Sequence, residues 1–293
     1  MKIYNDICTN ADSKTLNTGA SEQCLESVTV MAFIAKDGFA FASVAEFKTK
    51  AAWDAAITAK DVVPLYEMYE VTPANTDATY FESRNWRHRT SKATKITNWE
   101  AYLGLCSHAA LKSYENSEYT RIFEVTEDGD IIGVYDSDNT GVRGQLLKQF
   151  DVGIRTIATT EKNAYTPVTM TYDDHEELEK WGVIVTPDFN PITSLEGVFE
   201  VTINQSGAGS GTLITFTAFV GCTGKVATGL ETELALLDGL GADQGATIAH
   251  IGNGTYTATG TGFVDGTIST EGVKVLASYG NIKAEGSAAV VAS

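Results

Sequence analysis

Four clusters of residues in this sequence have the types and spacing that chemistry needs, and each also has a plainer role. Asp128, Asp130, Asp136 and Asp138 fall in two short acidic runs of the kind that hold calcium. With Asp136 in the first position of a calcium loop, Asp138 takes the third and Gly141 the sixth. The twelfth is then Leu147, where a bidentate carboxylate is required, and the flanks read as strands rather than helices. Two solvated hairpin turns explain the same residues, and no metal ligand is expected among them. Asp173-Asp-His-Glu-Glu-Leu-Glu179 resembles an acid/base or metal cluster. Consecutive side chains of a regular element point in different directions and cannot converge on one ion. The expectation is Asp174 as a helix N-cap, with the following acids opposing the positive end of the helix dipole.

Arg84, Arg87, Arg89, Lys92 and Lys95 form the one dense basic stretch, interleaved with Trp86 and His88. Phosphate contact with an indole free to stack is one reading. The reading preferred here is a seam between subunits or domains, where these cations meet an acidic surface. Arg84, Trp86, Arg87, Arg89, Lys92 and Lys95 are therefore the candidate interface residues. For nucleophilic catalysis there is no Gly-x-Ser-x-Gly elbow. Gly207-Ala-Gly-Ser-Gly211 lacks the Lys and helix of a phosphate loop and reads as a loop between strands. No catalytic, cofactor-binding or metal-binding residue is assigned, and the chain is not expected to be an enzyme.

The elements that would carry these residues are mostly β. Residues 1–28 are polar and weakly periodic, an arm or irregular lead-in. Val28–Ile34 reads as a strand and Ala45–Lys60 as helical, with Ser43 and Glu46 spaced as a capping box. Pro64 ends that helix and favours an edge strand. The stretch 93–105 fits both periods; a strand to about Leu105 followed by a helix from Ser107 to Tyr114 is expected. Tyr119–Thr126 and Ile131–Tyr135 flank the turn Glu127-Asp-Gly-Asp130, and β-rich runs follow at Leu146–Ala158 and Tyr165–Tyr172.

Near residue 190 the composition changes. All five prolines and all four tryptophans lie at or before Pro191, whereas residues 195–293 hold 18 of the 27 glycines and 14 threonines. Pro187-Asp-Phe-Asn-Pro191 reads as a short stiff linker between residues 1–190 and 191–293. Beyond it, Val198–Asn204, Leu213–Val220, Thr247–Ile251, Tyr256–Thr259, Phe263–Ser269 and Val273–Tyr279 are short strands between Gly-rich turns, with one or two helical turns at Glu231–Leu240. About seven strands in 100 residues is the arithmetic of an immunoglobulin-like sandwich. The predicted fold is mainly β: an antiparallel sandwich or barrel-like body with one or two helices, then an immunoglobulin-like β-sandwich.

Net charge is −17, with 29 acids against 18 bases before residue 195 and nine against three after it. Both parts repel nucleic acid rather than grip it, which suits a channel through which DNA must slide. No apolar run approaches a membrane span, and the first residues lack a signal-peptide core, so a cytoplasmic origin is expected. Cys8, Cys24, Cys106 and Cys222 include no Cys-x-x-Cys. Idle or buried thiols are expected, with a Cys8–Cys24 bridge as the weaker alternative.

Three stretches, Ala55-Ala-Ile-Thr with Val62-Val-Pro-Leu-Tyr66, Leu111-Lys-Ser-Tyr-Glu-Asn116 and Phe123-Glu-Val-Thr-Glu-Asp-Gly-Asp-Ile-Ile-Gly133, are similar in order and character to virion proteins of tailed phages of gut Bacteroidetes-type bacteria. The layout most resembles a major tail tube protein with a C-terminal immunoglobulin-like domain. The resemblance implies self-assembly into rings, typically hexameric, that stack into a tube in the virion. The arm or a loop near 67–95 would reach the next ring, other virion proteins would be the remaining partners, and DNA would pass unbound. It implies no cofactor and no membrane partner. Alternatives are another virion part (head decoration, head–tail connector or baseplate component) and a carbohydrate- or receptor-binding sandwich.

Overall fold

The computed structural model describes residues 4–5, 26–65, 67–138, 140–221, 224–276 and 282–292. Most of the expected arm, and Cys8, Cys24 and Cys222, therefore lie outside the described residues. The chain divides into two compact units, Met1–Leu195 and Glu196–Ser293.

The first unit is built on β1 (Tyr4–Asn5), β2 (Thr29–Ala35), α1 (Val44–Phe47), α2 (Lys50–Thr58), β3 (Val62–Pro64), β4 (Tyr69–Pro73), β5 (Tyr80–Ser83), β6 (Trp86–Arg89), β7 (Ile96–Ala101) and α3 (Leu105–Lys112). It continues through β8 (Arg121–Thr126), β9 (Ile131–Tyr135), β10 (Val142–Arg143), β11 (Gln145–Val152), β12 (Thr166–Tyr172), α4 (Glu177–Trp181), β13 (Gly182–Val185) and α5 (Pro191–Ser194). The main sheet runs β1-β13-β9-β8-β11-β12-β7-β4, with β10 on β9, β2 on β8 and β3 on β2. Within the lead-in, Tyr4–Asn5 is a strand, pairing in parallel with Val183 and Ile184.

Strands β2 and β8 are buried on both faces, and their alternation sorts side chains between two cores. Phe33 and Phe123 point to one side, where Phe41, Phe47 and Trp53 meet them ring on ring at 4.8–5.9 Å. The indole of Trp53 donates to the Phe47 carbonyl at 2.7 Å, so this buried ring leaves no polar group unmet. Ala32, Ile34 and Ile122 point to the other side, into a cluster with Trp99, Leu111, Met170 and Tyr172. Helices α1 and α2 replace the single expected helix. Ser43 Oγ accepts from Glu46 N at 3.2 Å, while Glu46 Oε2 reaches back to Ala42 N at 2.7 Å, one residue beyond a capping box. Pro64 sits on β3, which pairs with β2 alone and is an edge strand.

Two expectations of local structure are corrected, and a third is narrowed. Pro187–Pro191 is not a free linker: Asp188 N donates to Lys48 O, Asn190 caps α5 through the amides of Ile192 and Thr193, and Pro191 and Leu195 are buried and belong to the first unit. Asp174 is not the N-cap of α4; that residue is Glu176, and Asp174 accepts from Glu176 N in a turn before the helix. Of the one or two helical turns expected at Glu231–Leu240, one forms, with Leu234 N donating to Leu230 O, and Ala235–Asp238 is a strand in place of a second.

The second unit comprises β14 (Val198–Gln205), β15 (Leu213–Val220), β16 (Lys225–Val226), β17 (Ala235–Asp238), β18 (Thr247–Gly252), β19 (Thr255–Thr259), β20 (Gly266–Ser269), β21 (Lys274–Leu276), β22 (Ile282–Glu285) and β23 (Ser287–Val290). One sheet runs β18-β19-β15-β14-β22-β21, with β16 on β15; the other is β17-β20-β23. Strands alternate cleanly: Ile214, Phe216, Ala218 and Val220 point inward and meet Leu236, Ile268 and Val290 of the facing sheet in one core. Phe216 and Tyr256 stack at 5.6 Å, and the buried Tyr256 hydroxyl donates to Ala227 O. The whole is mainly β with antiparallel sheets and a sandwich arrangement, as predicted. Among the described residues, no helix is long and apolar enough to cross a membrane.

Candidate functional site

Strands β4 and β7 do not end where the main sheet ends. Thr76 and Thr94 exchange backbone hydrogen bonds at 3.0 Å, and Thr90 N donates to Thr79 O at 2.8 Å, so the pair runs on as a two-stranded ribbon. Hydroxyls of Thr79, Thr90 and Ser91 join at 2.7–2.9 Å and clasp its base. Strands β5 and β6 pair with each other alone, closed by Arg84 and Asn85 as a two-residue turn. From Thr76 to Ser83 the ribbon extends roughly 20 Å at about 3.3 Å per residue. Every residue from Thr79 to Lys92 is exposed.

The register Tyr80↔Arg89, Phe81↔His88, Glu82↔Arg87 and Ser83↔Trp86 decides which side chains share a face. One face carries Tyr80, Glu82, Arg87 and Arg89. There the Arg87 guanidinium lies 3.7 Å from the Tyr80 ring centroid and its Nε is 2.9 Å from Glu82 Oε1. The other face carries Phe81, Trp86 and His88, with Phe81–Trp86 and Trp86–His88 centroids both 5.9 Å apart. The ribbon is thus amphipathic, with an aromatic side and a cationic side. Trp86 and Phe81 are each 57% exposed, an uncommon state for rings of that size.

The structure brings Arg84, Trp86, Arg87, Arg89 and Lys92 together on the ribbon but not Lys95. Lys95 Nζ donates to Gln145 Oε1 at 3.2 Å, lies 3.7 Å from Glu124 Oε1 and sits 4.0 Å from the Tyr172 ring centroid. The Tyr172 hydroxyl donates to the same Glu124 carboxylate. Burial and the adjacent Glu124 charge push the Tyr172 phenol well above its ordinary range. This is an interior polar knot that ties β8, β11 and β12 to the lead-in of β7, and Lys95 belongs to it.

Tyr80 and Phe81 were missed because attention to charge passed over them. Their one mark in the sequence is a pair of β-forming aromatics just before a polar two-residue turn. The acidic residues have structural partners. Asp130 is buried, not solvated, and accepts from Thr186 Oγ1 at 2.6 Å. Asp136 Oδ1 accepts from the amides of Asp138 and Thr140. Glu177 accepts from Leu146 N at 2.9 Å and lies 3.8 Å from Arg143. Among the described residues, no group of three or more His, Cys, Asp or Glu is arranged to hold a metal ion. Cys106 on α3, expected as an idle or buried thiol, is disulfide-bonded.

Exposed aromatic rings beside guanidinium groups are side-chain types enriched at protein interfaces. No protein-family model matches the chain, and no curated protein matches it.

Proposed function

We propose that this chain is a self-assembling structural protein of a tailed-phage virion, of the major tail tube kind. The observation that carries the reading is the ribbon. An aromatic face held out in water is unfavourable for an isolated molecule and favourable once a partner covers it. The ribbon lies within the 67–95 segment, which with the N-terminal arm is one of the two that the resemblance offers for contact with the next ring. The exposed edge strand β4, whose outer side has no strand partner among the described residues, offers a second route for joining subunits. Net charge supports the conduit role: an acidic lumen repels the phosphates of passing DNA and holds none of them.

Negative-stain microscopy and sedimentation of the purified full chain test this reading. Rings or tubes are expected. Isolated particles at high protein concentration, with a monomer's sedimentation coefficient, would overturn it.

A further inference from the structure

We propose that the aromatic face of the ribbon docks on a second copy of this chain, at an apolar patch on the opposite end of the same sheet formed by Leu105, Ile154 and Ile157. This rests on the self-assembly reading and names the surface that receives the ribbon.

The three aliphatic side chains are 72%, 89% and 81% exposed, the most exposed large apolar residues of the first unit among the described residues. They are held in place and do not trail in solvent. Residues 153–165 join β11 to β12, and their backbone is pinned by Gly153 N to Pro167 O, Thr156 N to Tyr165 O and Thr159 N to Lys162 O, each at 2.8 Å. Arg155 Nε donates to the Leu103 carbonyl at 3.2 Å, which fastens the loop beside the start of α3. Tyr102 bridges this region, 6.2 Å from Tyr165 and 5.1 Å from Tyr69 between ring centroids. Scattered apolar residues on a surface need no explanation, but a fixed concentration of them at one end marks a contact.

Strand register places the two surfaces at opposite ends. Thr171 pairs with Ile96 and Pro73 with Thr97, and there the ribbon leaves the sheet. Thr166 pairs with Ala101 and Tyr69 with Glu100, and there the patch begins. A projecting surface at one end and a receiving surface at the other make a heterologous contact. Repeated in one direction, such a contact runs head to tail through successive copies.

Charge agrees with this pairing. The ribbon carries Arg84, Arg87, Arg89 and Lys92 against Glu82. The patch end carries exposed Glu67, Glu70 and Glu161; of its cations, Lys112 and Lys162 pair with Glu115 at 3.3 Å and Glu100 at 2.6 Å, and Arg155 is turned to the Leu103 carbonyl, which leaves the end with an acidic excess. Phe81 and Trp86 meeting Ile154, Ile157 and Leu105 would form the dry centre, and the cations and acids its rim.

The test uses the full chain with Trp86 replaced by photoreactive benzoylphenylalanine, mixed with isotope-labelled chain so that cross-links between copies are told apart. The expected product joins position 86 of one copy to residues 102–105 or 153–165 of another. Ile154→Asp with Ile157→Asp should weaken association by roughly 30-fold or more, the loss of one interface hot spot. Its circular dichroism should match the parent, because both residues are exposed. Cross-links between copies that map elsewhere would overturn this docking site and leave self-assembly standing. A chain that sediments as a monomer and cross-links only within itself would overturn both.

Discussion

Tyr172 and Glu124 show how a single buried proton ties the first unit to pH. The phenol donates to the carboxylate inside the protein, so Tyr172→Phe leaves Glu124 short of a donor where water cannot replace it. A loss of about 1–3 kcal/mol in urea unfolding is expected. In the folded protein, burial first and Glu124 second raise the phenol's affinity for its proton. In the unfolded chain the same group ionises near its ordinary value of about 10. Above that pH the unfolded state binds fewer protons than the folded one, so stability is lost as pH rises through and beyond it. The Phe variant should lose less between pH 9 and pH 11 than the parent, measured by urea midpoints. A parallel fall in both proteins would show that Tyr172 has no part in it. Lys95, read from the sequence as a member of the basic run, is spent on this knot. A charge count sees the type of a residue but not which way its strand turns it.

Among the elements, β8 leaves no room for a side chain at the start of β11. A Cβ on Gly144 would lie 2.7 Å from Ile122 N and 2.8 Å from its C and O, all of them backbone atoms that cannot swing aside. Gly144→Ala should therefore cost about 1–3 kcal/mol by strain between β8 and the start of β11. Gly38→Ala meets nothing within 4 Å and should change stability by less than about 0.5 kcal/mol. Matched urea curves of the two variants check the contrast. The strands were legible where a buried face runs long enough to imprint a period of two, as at Ile214, Phe216, Ala218 and Val220, and short strands such as Ala235–Asp238 were not. The ribbon was illegible for the same reason. With every residue from Thr79 to Lys92 exposed, no hydrophobic period marks β5 and β6, and the segment read only as charge. The cap of α4 was missed because several adjacent acids competed for one role, and geometry chose Glu176.

At the scale of the whole molecule, composition located the change of character near residue 190, but packing puts the boundary at Leu195. Prolines suggest stiffness; they do not say whether a stiff segment is docked. Pro191 and Leu195 belong to the first unit, so a chain cut after Pro191 would strip that unit of α5. The second unit has its own closed core of residues from both its sheets, and residues 196–293 alone should unfold in one cooperative transition. Calorimetry of that fragment checks this, and a broad featureless melt would contradict it. The ribbon also governs how the protein meets a protease. Arg84, Arg87, Arg89 and Lys92 give trypsin four accessible sites on a two-stranded element that no third strand supports. Brief digestion should nick the free chain there first, and the two fragments should still travel together on a native gel. β4 and β7 keep their hydrogen bonds across the break, so the peptide is severed while the fold is not. Trypsin resistance that appears as protein concentration rises would then report the covering of the ribbon without any image of an assembly.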